Sequence, residues 1–209
     1  MRALVRVPAE GRPTLLLLHG RGGTEGDLVP LADALGPGLG VLAPRGPEPE
    51  GGGFAWFRHH RIGVPVEESL DRRLAEVGDW LADALREAGI APPVVAVGFS
   101  NGGMMAGALG AARPELVGAV ALLSSAYPLP PRVMALGGLG GTPVFAGAGD
   151  GDPFHPPSVM EAGVRAYRDA GALVEAHTYP GASHEVTQRE VADLAAWLAA
   201  PPARGAATA

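Results

Sequence analysis

The chain has 209 residues, 47% hydrophobic and 18% charged, which fits one folded domain with a sizeable core and excludes intrinsic disorder. A net charge of −6 without any basic run argues against a nucleic-acid partner. The absence of cysteine and lysine excludes disulfides, thiolate metal sites, cysteine nucleophiles, Schiff-base lysines and the P-loop lysine. No apolar run is long enough to span a bilayer and no signal peptide is visible, so a cytoplasmic protein without stable membrane insertion is expected.

In chain order, Arg2 to Val7 is expected to open the fold as an edge strand. Thr14 to His19 follows as a strand buried on both faces. A glycine-rich loop, Gly20-Arg21-Gly22-Gly23-Thr24, leads to a helix around Asp27 to Leu35, a short strand at Gly40 to Ala43 and a Pro/Gly-rich loop through Gly53. Phe54 to Arg61 is the only concentration of aromatic residues, and this loop stretch, Trp56 and Phe57 above all, is expected to line or cap a pocket. From Val66 to Ala88, apolar residues at Leu70, Leu74, Val77, Leu81 and Leu85 keep helical spacing, with Gly89 as the stop.

Strands are then expected at the apolar run from Val94 to Val97, Leu116 to Leu123, Pro143 to Ala148 and Val174 to Tyr179. Helices are expected after Met104, at Pro156 to Ala170 and at Glu185 to Leu198. Alternation of this kind predicts an α/β fold with a mainly parallel sheet, one domain over residues 1–200 and a frayed tail over 201–209. Reactive groups in such sheets gather on loops beyond the carboxyl ends of the strands.

One of those loops carries Gly98-Phe99-Ser100-Asn101-Gly102, a strand, a sharp turn and a helix with a serine at the tip. The turn strains the serine backbone and leaves no room for a Cβ on either side, which accounts for both glycines. A serine hydroxyl needs an imidazole to take its proton, and the imidazole needs a carboxylate to fix its tautomer. Among the six histidines, His184 stands on the loop between the last strand and the last helix, on the correct edge of the sheet.

The other histidines fit less well. His177 lies inside a strand, and His19 is expected to brace its loop. His59 and His60 are adjacent in a loop, a poor arrangement for chelating one metal, and His155 is expected to border the pocket. For the acid, Asp150 and Asp152 in Gly149-Asp150-Gly151-Asp152-Pro153 both follow a strand, and spacing alone barely separates them.

Four blocks together carry a resemblance: Leu18-His19-Gly20-Arg21-Gly22-Gly23, Gly98-Phe99-Ser100-Asn101-Gly102-Gly103, Gly149-Asp150-Gly151-Asp152-Pro153 and Gly181-Ala182-Ser183-His184-Glu185. From Thr14 to about Leu198 the chain resembles the phospholipase/carboxylesterase family of α/β-hydrolases, which includes small bacterial carboxylesterases and acyl-protein thioesterases. The resemblance implies an α/β-hydrolase fold with helices on both faces of the sheet. It assigns the triad acid to Asp152, beside Ser100 and His184, and the oxyanion donors to the backbone N–H groups of Arg21 and Asn101. Many relatives carry Gln where this chain has Asn101. Arg21 replaces an apolar residue common in the thioesterases, and its side chain is expected to point to water.

The activity implied is hydrolysis of short-chain or small aromatic carboxylic esters through an acyl-enzyme on Ser100, without metal or cofactor. The partner expected is a small-molecule ester, and a homodimer is left open by analogy with relatives. An acyl-thioesterase or lysophospholipase activity is the alternative within hydrolases. A non-catalytic ligand-binding protein is the alternative outside them.

Overall fold

The computed structural model describes residues 1–200, and the expected tail at 201–209 lies outside the described residues. The chain runs β1 (Ala3–Arg6), β2 (Thr14–Leu18), α1 (Val29–Leu35) and β3 (Gly40–Pro44). Two small hairpins follow, β4 (Glu48–Glu50) with β5 (Gly53–Ala55) and β6 (His59–Arg61) with β7 (Val64–Pro65). After them come α2 (Glu67–Ala88), β8 (Val94–Phe99), α3 (Asn101–Ala112), β9 (Val117–Leu123), α4 (Pro131–Met134), β10 (Pro143–Gly149), α5 (Pro157–Asp169), β11 (Leu173–Tyr179) and α6 (Gln188–Ala199).

Seven strands form one sheet in the order β1-β3-β2-β8-β9-β10-β11, with β1 antiparallel to β3 and every other pair parallel. The all-apolar run in β2 is explained by its two faces. Leu15 and Leu17 pack with Leu31, Leu35, Leu194 and Trp197 of α1 and α6, while Leu16 and Leu18 pack with the layer of α2, α3 and α5. A strand covered on both sides has no use for polar alternation.

Helix α2 is amphipathic as its spacing predicts: Leu70, Val77 and Leu81 are fully buried, each contributing on the order of 1.5–3 kcal/mol by removal from water. It ends where Gly89 adopts a left-handed φ of 64°, its N–H donating to Arg86 O and that of Ile90 to Leu85 O. Helix α6 starts later than expected because Thr187 caps it, its hydroxyl accepting from the Glu190 N–H at 3.1 Å. The loop expected through Gly53 holds the β4–β5 hairpin, whose β5 also bridges to Gly23. No helix among the described residues is long and apolar enough to cross a membrane.

Glu190 is wholly buried in α6, and neither carboxyl oxygen has a hydrogen-bond partner among the described residues. Burial pushes its pKa from 4.5 up to about 8, with the Asp193 charge adding to the rise and the bond at Thr187 opposing it. The neutral carboxyl is therefore compatible with the fold. Its contribution is complete below the unfolded value and is lost as pH rises through the folded one, at roughly 1.4 kcal/mol per pH unit in between. Glu190→Gln should thus gain stability over the parent between pH 5 and pH 8, by roughly 2–4 kcal/mol in urea titrations. An equal difference at both pH values would show that Glu190 does not titrate with folding.

Candidate active site

The β8–α3 junction is built by what it lacks. A Cβ on Gly98 would stand 2.3 Å from Gly102 O, and one on Gly102 would stand 2.0 Å from Leu18 O. Only glycine lets the turn settle onto the end of β2. Ser100, between them, holds φ 53° and ψ −119°, a left-handed conformation costly for a residue with a side chain. Its N–H donates to Leu123 O at 2.9 Å, tying the turn to β9. The N–H of Asn101, first residue of α3, has no intrahelical partner by position.

The neighbouring loop after β2 is held by a backbone network around His19. This buried ring donates from Nδ1 to Gly20 O at 2.7 Å and accepts at Nε2 from the Gly46 N–H at 2.9 Å, which fixes a neutral tautomer. Burial, first among the influences on it, holds its pKa below the ordinary value. His19 O accepts from the Trp56 indole at 2.8 Å, and Gly22 N–H donates to Phe54 O. Glu25 accepts two hydrogen bonds from Arg45, at 2.7 and 2.8 Å, which bring its pKa down to about 2. Arg21 lies on this loop, and its N–H has no partner among the described residues. Its guanidinium turns outward, 3.6 Å from Glu50.

Asp152 and Asp150 have different tasks. The buried Asp152 places Oδ2 2.6 Å from His184 Nδ1, while Oδ1 accepts the N–H groups of Phe154 at 2.8 Å and His155 at 3.0 Å. Burial raises its pKa, but the bond from His184 and the two backbone bonds together hold it below the ordinary value, so it stays a carboxylate. Asp150 is exposed and accepts the Gly181 N–H at 2.7 Å, bracing the loop that carries His184. With Nδ1–H donated to Asp152, His184 keeps the lone pair on Nε2. Its ring is gripped by Phe99, at 4.8 Å between centroids, and by Phe154, edge-on at 5.2 Å.

Ser100, His184, Asn101, Gly20 and Arg21 all line one cavity of about 210 Å³. Its remaining wall is His59, Ile62 and Gly63 from the β6–β7 hairpin, with Phe99, Met104, Tyr127 and Phe154. On the other side of Arg21 and His184 a wider groove of about 490 Å³ runs along Leu28, Leu31 and Val186, with Asp27 and Glu185 in its lining.

Three expected pocket residues stand elsewhere. Trp56 and Phe57 are wholly buried, Trp56 bracing His19 and Phe57 filling the core under α2. His155 is wholly buried too, edge-on to the Tyr127 ring at 4.8 Å, and it is its backbone N–H that reaches Asp152. His59 is the residue of the stretch Phe54 to Arg61 that lines the cavity, while Tyr127 and Phe154 escaped the sequence reading. His59 and Phe154 sit beside the expected residues, whereas nothing local distinguishes Tyr127. Among the described residues, no three His, Asp or Glu side chains are gathered as a metal site.

A family model described as Phospholipase/Carboxylesterase matches residues 4–201. The Bacillus subtilis (strain 168) protein MhqD, which bears a hydrolase name, is 33% identical over 184 residues, covering 88% of this chain and 90% of its own. A Bacillus cereus carboxylesterase structure superposes with a TM-score of 0.83 at 30% identity, over 95% of this chain and 93% of that one. A Mesorhizobium loti carboxylesterase structure gives a TM-score of 0.80 at 28% identity, over 92% and 90% of the two chains.

The packing at the junction makes a direct prediction. Gly102→Ala should cost at least about 2 kcal/mol in urea denaturation, because the backbone of β2 must move to admit the methyl group. Gly52→Ala, where a Cβ meets nothing within 4 Å, should stay within about 0.5 kcal/mol of the parent. Equal losses at the two sites would contradict the close approach.

Proposed function

Because this chain belongs to the phospholipase/carboxylesterase family of α/β-hydrolases and is a carboxylic ester hydrolase, we propose that it cleaves esters of small acids through an acyl-enzyme on Ser100. The observation that carries this reading is the 2.6 Å bond between Asp152 and His184, in a cavity that His184 shares with Ser100. His184 Nε2 takes the proton of Ser100 Oγ as the oxygen attacks the acyl carbon. The imidazolium so formed is stabilised by the buried Asp152 carboxylate. The N–H groups of Arg21 and Asn101 receive the oxyanion, helped by the positive end of the α3 dipole. Collapse of the tetrahedral species breaks the ester C–O bond, and His184 returns the proton to the leaving alkoxide. Water, deprotonated by the same ring, then attacks the acyl-enzyme and releases the acid with Ser100 restored.

Geometry also supports an order for the two halves of the substrate. The acyl carbon must lie beside Ser100 and Asn101, which line only the smaller cavity. Its walls at Ile62, Met104, Tyr127 and Phe154 favour a compact acyl group. The leaving alcohol, protonated by His184, points along the wider groove past Val186 and Leu31.

Three measurements test this reading. A fluorophosphonate should label Ser100, and Ser100→Ala should lose turnover by a factor of at least about 10⁴. Asp152→Asn should lower kcat by roughly 10³–10⁴, and Asp150→Asn by only a few-fold, on the order of one brace in a loop. Along p-nitrophenyl esters from acetate to palmitate, kcat/KM should fall steeply beyond short chains. A folded protein that takes no label on Ser100, or an Asp150→Asn loss exceeding that of Asp152→Asn, would overturn the assignment. A preference for palmitate would overturn the compact acyl group and leave the nucleophile standing.

A further inference from the structure

Six polar side chains stand in the wall of the smaller cavity: Arg21, His59, Ser100, Asn101, Tyr127 and His184. Five of them are committed. Ser100 and His184 are assigned to the reaction above, and the Arg21 guanidinium reaches out towards Glu50. The Tyr127 hydroxyl donates to Phe154 O at 2.5 Å and keeps its proton, since burial and the Asp152 charge push its pKa up to about 12. The Asn101 amide spans two partners, the Trp56 N–H at 2.8 Å and His59 Nε2 at 3.2 Å. His59 remains.

The bonds to Asn101 dictate the state of that ring. A backbone N–H can only donate, so the Asn101 atom facing Trp56 is the oxygen Oδ1. The amide NH₂ then faces His59, and an NH₂ group can only donate, so His59 Nε2 must offer a lone pair. A neutral imidazole with a bare Nε2 carries its hydrogen on Nδ1. Burial of the ring, followed by the charge of Arg21, holds its pKa below the ordinary value, with Glu50 opposing them. The Nδ1–H finds no partner among the described residues, while the ring stands half-buried in the cavity wall. With Nε2 spent on Asn101, Nδ1–H is the polar group that this cavity-lining ring has to offer a bound molecule.

We propose that His59 is a specificity-determining residue, whose Nδ1–H donates to an oxygen on the acyl part of the ester. Short acyl groups bearing an ether, keto or hydroxyl oxygen are then preferred over plain alkanoyl groups of the same length. This inference rests on the Ser100 reading, which places the acyl group in this cavity.

The test uses p-nitrophenyl methoxyacetate and p-nitrophenyl butyrate, which share a leaving group and differ by one oxygen in place of one methylene. The methoxy ester is intrinsically more reactive, so the readout is its kcat/KM relative to butyrate, compared between the parent and His59→Phe. Intrinsic reactivity cancels in that comparison. The ratio should fall roughly three- to tenfold in the variant, the usual range for one lost hydrogen bond. An unchanged ratio in folded variant overturns the proposal.

Should His59→Phe not fold, the parent protein decides the matter by ¹⁵N NMR of labelled histidine. His59 should be the Nδ1–H tautomer. That signal should move when Ser100 is phosphonylated with a methoxymethylphosphonate, and much less with a propylphosphonate. An Nε2–H tautomer, or equal movement with both reagents, overturns the proposal. Parent protein that hydrolyses neither ester would overturn the Ser100 reading itself, an outcome distinct from hydrolysis of both with a ratio indifferent to His59.

Discussion

Two missing Cβ atoms decide where everything else in this molecule can stand. With glycine at 98 and 102, the β8–α3 turn closes onto the carbonyl end of β2, and Ser100 is held at φ 53° by neighbours that cannot yield. The strain is sustained because the turn is tied on each side. The Ser100 N–H is taken by Leu123 of β9, and the Asn101 side chain is taken by Trp56 and His59 of the segment between β3 and α2. That segment in turn grips the loop after β2 through the Trp56 indole and Phe54 O. The β8–α3 turn and the loop after β2 are therefore fixed against one another through the Asn101 amide and the Trp56 indole.

A second contact sets Asp152 against His184. A Cβ on Gly149 would stand 2.1 Å from Ala182 O, so the turn after β10 lies directly against the loop after β11. Asp150 fastens the two loops at Gly181, and Asp152 reaches past it to the imidazole. The paired aspartates divide the labour of holding a loop and holding a ring. Both tasks are met by an aspartate oxygen on the same loop, which is why spacing alone could not tell them apart.

The parts legible in the sequence are those where a backbone constraint leaves a residue-type signature. The glycines around Ser100 and Gly89 at the end of α2 belong here, as does the unbroken apolar run of a strand covered twice. The Thr187 cap was also within reach, since Thr with Glu190 three residues on opens a helix. Which side chains of the stretch Phe54 to Arg61 face the cavity was not legible. An apolar ring in a Gly/Pro-rich stretch is equally suited to a pocket or to a core, and tertiary packing sends Trp56 and Phe57 inward. The same packing leaves the polar His59 facing the cavity. His155 misled for another reason: its contribution to Asp152 comes from the main chain, which any residue type would supply.

The pairing of Leu18 with Gly98 across β2 and β8 has a consequence for descent. Both proposed oxyanion donors are main-chain groups, one residue beyond Gly20 and one beyond Ser100, on loops that leave neighbouring strands. A lineage can exchange the side chain at position 21, whose guanidinium turns outward, without touching its N–H, whereas the Asn101 side chain is engaged by Trp56 and His59. Freedom to vary and the need to stay fixed are thus assigned to different atoms of one residue, Arg21.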